Sequence, residues 1–126
     1  MTPLEFVERY YLHDSNIERV DFDADKKILT LIIEFCFWWQ PWYKKDEPKN
    51  GLIRVTFKDV SSFEYDDDIA GRIFSDELDS EILLGDYDDG NLIIVAVEYL
   101  EPEDIYYRLK IKAAGVEVEE LSRYTL

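Results

Sequence analysis

The chain has 126 residues, with 29 acidic against 14 basic side chains and a formal charge of −15. That balance excludes nucleic acid and anionic membranes as direct partners, because neutralising phosphate needs clustered Lys and Arg. An apolar fraction of 47% with 15% aromatics excludes a wholly disordered chain and implies one domain over residues 1–126. The single cysteine, Cys36, excludes an intrachain disulfide and a cysteine zinc site. It suits a reducing cytoplasm. So does an N-terminus in which no basic segment precedes an apolar one.

Thr2, Pro3 and Glu5 spell a helix start. Threonine caps, proline suits the first helical position, and the glutamate completes a capping box. The helix is expected to run to Tyr11 or Leu12, packing Leu4, Val7 and Tyr11 as one stripe, with Phe6 and Tyr10 beside it. His13, Asp14, Ser15 and Asn16 then break it.

Residues 16–23 read as a strand with Val20 and Phe22 on one face. Residues 23–26 turn the chain into the central apolar run, 28–39. That run is too short to span a membrane as a helix, and its β-branched and aromatic types suit a strand. Alternation puts Leu29, Leu31, Ile33, Phe35, Phe37 and Trp39 on a fully apolar core face. Ile28, Thr30, Ile32, Glu34, Cys36 and Trp38 form a mixed second face. Residues 40–50 hold Pro41 and Pro48 and read as a loop. Residues 52–58 alternate as a strand with one wet face, and Val60, Phe63 and Tyr65 extend it after a bend. A helical turn is expected near residues 69–74. Residues 81–87 and 91–100 form a hairpin around Asp89-Gly90, because a type I′ turn needs positive φ at both central positions. Residues 105–112 make another strand. Gly115 marks a bulge or turn before a short last strand holding Val116 and Val118.

No helix sits between strands where a parallel crossover would need one. The expected class is α+β, mainly β: a curved antiparallel meander of six or seven strands with one N-terminal helix packed on it.

No motif specifies a chemistry. His13, Asp14 and Ser15 carry the residue types of a hydrolase triad, but three consecutive residues do not form that relay; they read as a helix-to-strand junction. The 86–91 segment resembles a calcium loop only in composition, since its glycine falls one place early. No metal, cofactor or catalytic residue is therefore assigned. Glu34, with apolar neighbours, is an acid–base candidate alongside His13; its plainer reading is an ion pair with Arg54 or Arg108. Cys36 reads as an inert thiol. Trp38, Trp42 and Tyr43, rimmed by polar residues, read as partner-binding anchors, or else as the closure of one end of the core. Asp66, Asp67 and Asp68, with Asp86, Asp88 and Asp89, are candidates for steering a cationic partner.

The segment from Leu12 through His13, Asp14, Ser15 and Asn16 to Ile17, followed by Val20-Asp21-Phe22-Asp23 and Leu29-Thr30-Leu31, resembles the start of small bacterial domains. Some of these are similar to immunity proteins of polymorphic toxin systems. The resemblance implies a cytoplasmic, non-catalytic protein that binds a toxin, and it carries over no functional residues. Two alternatives stand beside it. One is a homo-oligomeric module that uses Ile28, Ile32 and Trp38. The other is a small enzyme that uses Glu34 or His13 as acid or base.

Overall fold

A computed structural model describes residues 1–124. The capping box forms: Thr2 N–H donates to Glu5 Oε1 at 3.0 Å and Glu5 N–H to Thr2 Oγ1 at 3.1 Å. Helix α1 (Pro3–Arg9) follows and stops two or three residues earlier than expected, because Tyr10 turns extended. So short a helix presents only part of its surface to the sheet. Phe6 is fully buried, while Leu4 and Tyr11 of the expected stripe are exposed. The reason lies in how the helix is anchored. Met1 and Val116 exchange backbone hydrogen bonds of 3.1 and 2.8 Å. Phe6 then meets Phe57 edge-on and stacks on Tyr10.

Six antiparallel strands close into a barrel: β1 (Asn16–Asp23), β2 (Ile28–Cys36), β3 (Asn50–Tyr65), β4 (Ser80–Asp88), β5 (Asn91–Glu98) and β6 (Ile105–Tyr124). The order around the barrel is β1-β2-β3-β6-β5-β4. It is therefore two three-stranded meanders, β1–β3 and β4–β6, joined side to side. The expected class is borne out, mainly β with one N-terminal helix, and the curvature goes as far as closure. Gly115 does not interrupt β6; it lies opposite Lys58 in register. The irregularities of that strand pair fall elsewhere, near Ser61 and Leu121, and Asp59 takes the positive φ of 52° that bends β3.

Alternation fills the barrel. Leu29, Leu31, Ile33 and Phe35 from β2 meet Ile53, Val55 and Phe57 from β3, Leu109 and Ile111 from β6, and Leu92 and Ile94 from β5, all fully buried. The hairpin turn has φ of 49° at Asp89 and 80° at Gly90, as a type I′ turn requires. Segment 66–79 crosses between the two meanders. Its short 3-10 turn (Asp67–Ile69) and the Ile73 N–H bond to Ile69 C=O supply the expected helical turn. Ile69, Ile73 and Leu78 are buried beneath it. Arg72 of this segment reaches Glu98 at the end of β5, a carboxylate only 1% exposed. Asp79 N–H and Ser80 Oγ also donate to Glu98.

Barrel closure is uneven. β1 pairs with β4 only at Asn16 and Ile17, and β5 pairs with β6 only as far as Ile111. Among the described residues, the stretches with one open edge include the rest of β1, β4 from Gly85 onward, and β6 beyond the Met1 contact at Val116. Each carries acids: Asp21 and Asp23, Asp86 and Asp88, and Glu117, Glu119 and Glu120. Charged side chains on open edges oppose pairing with another copy. No helix among the described residues is long and apolar enough to cross a membrane.

Candidate protein-binding face

The junction from helix to β1 and the loop after β2 are tied to each other. Gln40 is the tie, and it is 4% exposed. Its Oε1 accepts from Tyr11 N–H at 2.8 Å, and its Nε2 donates to Tyr11 C=O and Cys36 C=O, both at 2.9 Å. A second strut is buried Ser15, whose Oγ accepts from Cys36 N–H at 3.1 Å. Asp14, at a φ of 65°, accepts from Trp39 Nε1 at 3.2 Å and lies 3.4 Å from His13 Nε2. His13 Nδ1 lies 3.1 Å from Leu83 C=O on β4. The three residues of the apparent triad thus brace a junction, as the sequence indicates.

This bracing fixes the tryptophans. A 3-10 turn (Phe37–Trp39) ends the alternation of β2, so Phe37 stays buried while Trp39 turns outward. The expectation of an inward Trp39 is corrected: Trp38 and Trp39 are each 43% exposed and stack at 4.3 Å between centroids. Phe37 is clamped from beneath. Arg123 lies over its ring at 4.0 Å and pairs with Glu47 and Glu120. A Cβ at Gly51 would come within 2.8 Å of Phe37 and 2.1 Å of Ser122 C=O, so only glycine fits there. Trp42 is 40% exposed and packs edge-on against Tyr10 and Phe37, with Nε1 3.4 Å from Arg9 C=O. Tyr43 is a poorer anchor than expected. It is half-buried against the core, and its hydroxyl donates to Glu47 C=O at 2.6 Å.

The acidic candidates divide. Asp67 and Asp68 are exposed on the crossover. Asp66 is engaged, accepting from Arg108 N–H at 2.9 Å. Asp86, Asp88 and Asp89 are exposed at the tip of the β4–β5 hairpin, far along the chain from the tryptophans, but Asp86 and Asp88 are on the same strand as the Leu83 contact of His13.

Glu34 pairs with neither arginine: Arg54 binds Glu119 at 2.7 Å and Arg108 lies 3.9 Å from Asp66. Its register neighbours are Asn16 and Leu52. Burial first, and the charge of Asp14 and Glu34 further, push the Cys36 thiol up, against a lowering hydrogen bond from Ser15. A thiol held protonated is a poor nucleophile. Ile32, from the proposed self-interface, lies in a groove with Glu18, Leu78 and Asp79.

Glu18 is a residue that the sequence reading missed. The register slips between Ile17 and Arg19, and the extra residue of that bulge lies beside Glu34. Burial, then the Glu34 charge, raise the Glu18 carboxyl above its ordinary value. The folded state therefore favours protonated Glu18. Its stabilising share is complete below about pH 4.3, the ordinary glutamate value, and is lost as pH rises through the raised one. Glu18→Gln is expected to stabilise the protein at pH 7, with the gain vanishing toward pH 4. Thermal melts across that range check this, and a gain that is equal at both ends would refute the assignment.

Compared with protein-family models, curated proteins and solved structures, the chain matches none.

Proposed function

We propose that this chain is a non-catalytic binding protein for a cationic protein partner, and that it acts as an immunity-type inhibitor of a toxin domain in the bacterial cytoplasm. The observation that carries the reading is the Trp38–Trp39 slab. Two large aromatics stack in the open, 43% exposed each, and are held rigid by a buried polar tie. Preorganised aromatics make strong interface anchors because little rotamer freedom remains to be lost on binding. The formal charge of −15 supports a basic partner by steering encounter. Trp42 extends the aromatic face, and Asp67, Asp68, Asp86, Asp88 and Asp89 supply the field.

The test uses the product of the gene adjacent to this protein's own. Trp38→Ala is expected to weaken binding by roughly 2 kcal/mol or more, as at an interface hot spot, with an unchanged melting temperature. Charge reversal at Asp67, Asp68, Asp86 and Asp88 should slow association and leave dissociation nearly unchanged. Binding that is indifferent to Trp38→Ala would sink the reading.

A further inference from the structure

We infer that the open edge of β4 seats an extended segment of the cationic partner as an added strand, an inference that rests on the binding reading above. Asp88 and Asn91 close the two-residue hairpin turn, and such a pair exchanges its hydrogen bonds across the hairpin. Alternation then directs the backbone groups of Asp86 and Leu84 toward β5 and those of Gly85 and Tyr87 away from it. On that outer side β1 has already left the sheet. The segment before β1 makes the remaining contacts there: the Asp14 N–H bond to Ile82 C=O, the Ile82 N–H bond to Ser15 C=O, and the His13 ring 3.1 Å from Leu83 C=O. Asp86 Oδ1 holds the Tyr87 N–H at 2.8 Å. Gly85 N–H, Gly85 C=O and Tyr87 C=O are what the edge offers.

Beside this edge runs an apolar groove of about 420 Å³, between β4 and the segment leading out of α1. Val7, Tyr11, Leu12 and Leu84 line it, with Glu8 and His13 at its rim. Tyr11 is 61% and Leu84 51% exposed. A Cβ at Gly85 would lie 3.1 Å from Leu12, so the glycine keeps the strand close to the groove wall. The His13 ring centroid is 6.4 Å from that of Trp39. Groove and tryptophan slab therefore form one continuous face.

Charge decides the occupant. Glu8 lines the groove, and Asp86 and Asp88 are exposed on β4 itself. A second copy would place Asp86 and Asp88 against their own kind, and like charges across a strand pair are unfavourable. A segment alternating basic with apolar side chains fits instead. Its apolar positions enter the groove, its basic ones meet the aspartates, and its backbone continues the sheet, as in strand addition generally.

The probe is a capped eight-residue peptide of alternating Lys and Val, titrated into the full-length ¹⁵N-labelled chain at about 0.15 M salt, where long-range attraction is screened. Shifts are expected at Leu84, Gly85, Tyr87 and Tyr11, with about tenfold slower exchange of the Gly85 amide at saturation. N-methylating alternate peptide bonds should weaken binding about tenfold or more. Leu84→Lys, a change at an exposed site, should do the same. Shifts confined to the Trp38 and Trp39 indoles would overturn strand addition and leave the binding reading in place. Equal affinity for the N-methylated peptide, or no shift anywhere, would also overturn it. The binding reading is judged separately, by Trp38→Ala with the cognate protein.

Discussion

Glu98→Ala is expected to destabilise the barrel by roughly 3–5 kcal/mol, the usual cost of removing one partner from a buried charged network. For a chain of this size that lowers the melting midpoint by about 10–20 °C. Glu98 is 1% exposed and accepts from Arg72, from Asp79 N–H at 3.1 Å and from Ser80 Oγ at 2.9 Å. Without it, the buried Ser80 hydroxyl, the Asp79 N–H and the Arg72 guanidinium lose their acceptor, and the crossover loses the residue that holds it to the barrel end. Three variants separate the contributions. Glu98→Gln keeps the shape and one acceptor oxygen and should cost about half as much. Arg72→Met leaves the carboxylate buried without its counter-charge and should also destabilise. The double variant Arg72→Met with Glu98→Gln should be more stable than Arg72→Met alone, because the uncompensated charge is gone. Denaturant melts of the four proteins check this. A double variant no better than Arg72→Met would mean that the arginine acts through packing and not through charge.

The network also shows what a linear reading can reach. Arg72 and Glu98 are 26 residues apart, and each lies in a segment whose pattern says nothing of the other. The strands were legible because their signals are local. Asn16–Asp23 and the Asp89-Gly90 hairpin follow from alternation and turn chemistry alone. Closure was not legible, since it depends on which strand β4 meets after a crossover with no periodicity of its own. The inward assignment of Trp39 failed for a definite reason. Alternation was carried through Cys36, where the chain leaves the strand for a 3-10 turn, and that turn is set by the Gln40 contacts. Glu18 was missed because a one-residue bulge moved it beside Glu34, and a bulge leaves no mark in the pattern. Trp38 and Trp42 stood out because a large aromatic next to a proline-bearing loop is a local signal; their exposure was not legible, since it depends on where β2 ends. Tyr11, by contrast, was assigned to a helix stripe that the helix is too short to possess.

Gln40 joins fold to binding face, and its substitution should affect both. Gln40→Leu is expected to destabilise by about 2–4 kcal/mol, since three backbone groups lose their partner and a buried amide contributes about 1 kcal/mol per bond plus the desolvation of what it leaves behind. Gln40→Glu is the sharper test. The amide oxygen accepts from Tyr11 N–H, and the amide nitrogen donates to two carbonyl oxygens, so the orientation of the side chain is determined by its partners. A carboxylate retains the first bond and turns an acceptor toward both carbonyls. At pH 7 this variant should be less stable than Gln40→Leu. Acidification should reverse that order, because a protonated carboxyl donates again to one carbonyl. The sign follows from linkage. Facing two carbonyl oxygens in a buried site raises the folded-state value of the new carboxyl, so its stability is present at low pH and lost as pH rises through that value. Tryptophan emission supplies the functional half. The loop that carries Trp38 and Trp39 reaches the helix-to-β1 segment through Gln40, so both Gln40 variants should red-shift the emission before global unfolding. Partner affinity should fall with that shift at temperatures where the barrel is still folded. If the melting temperature drops while emission and affinity stay as in the wild type, the tie serves the fold alone, and the rigidity of the indole slab has another source.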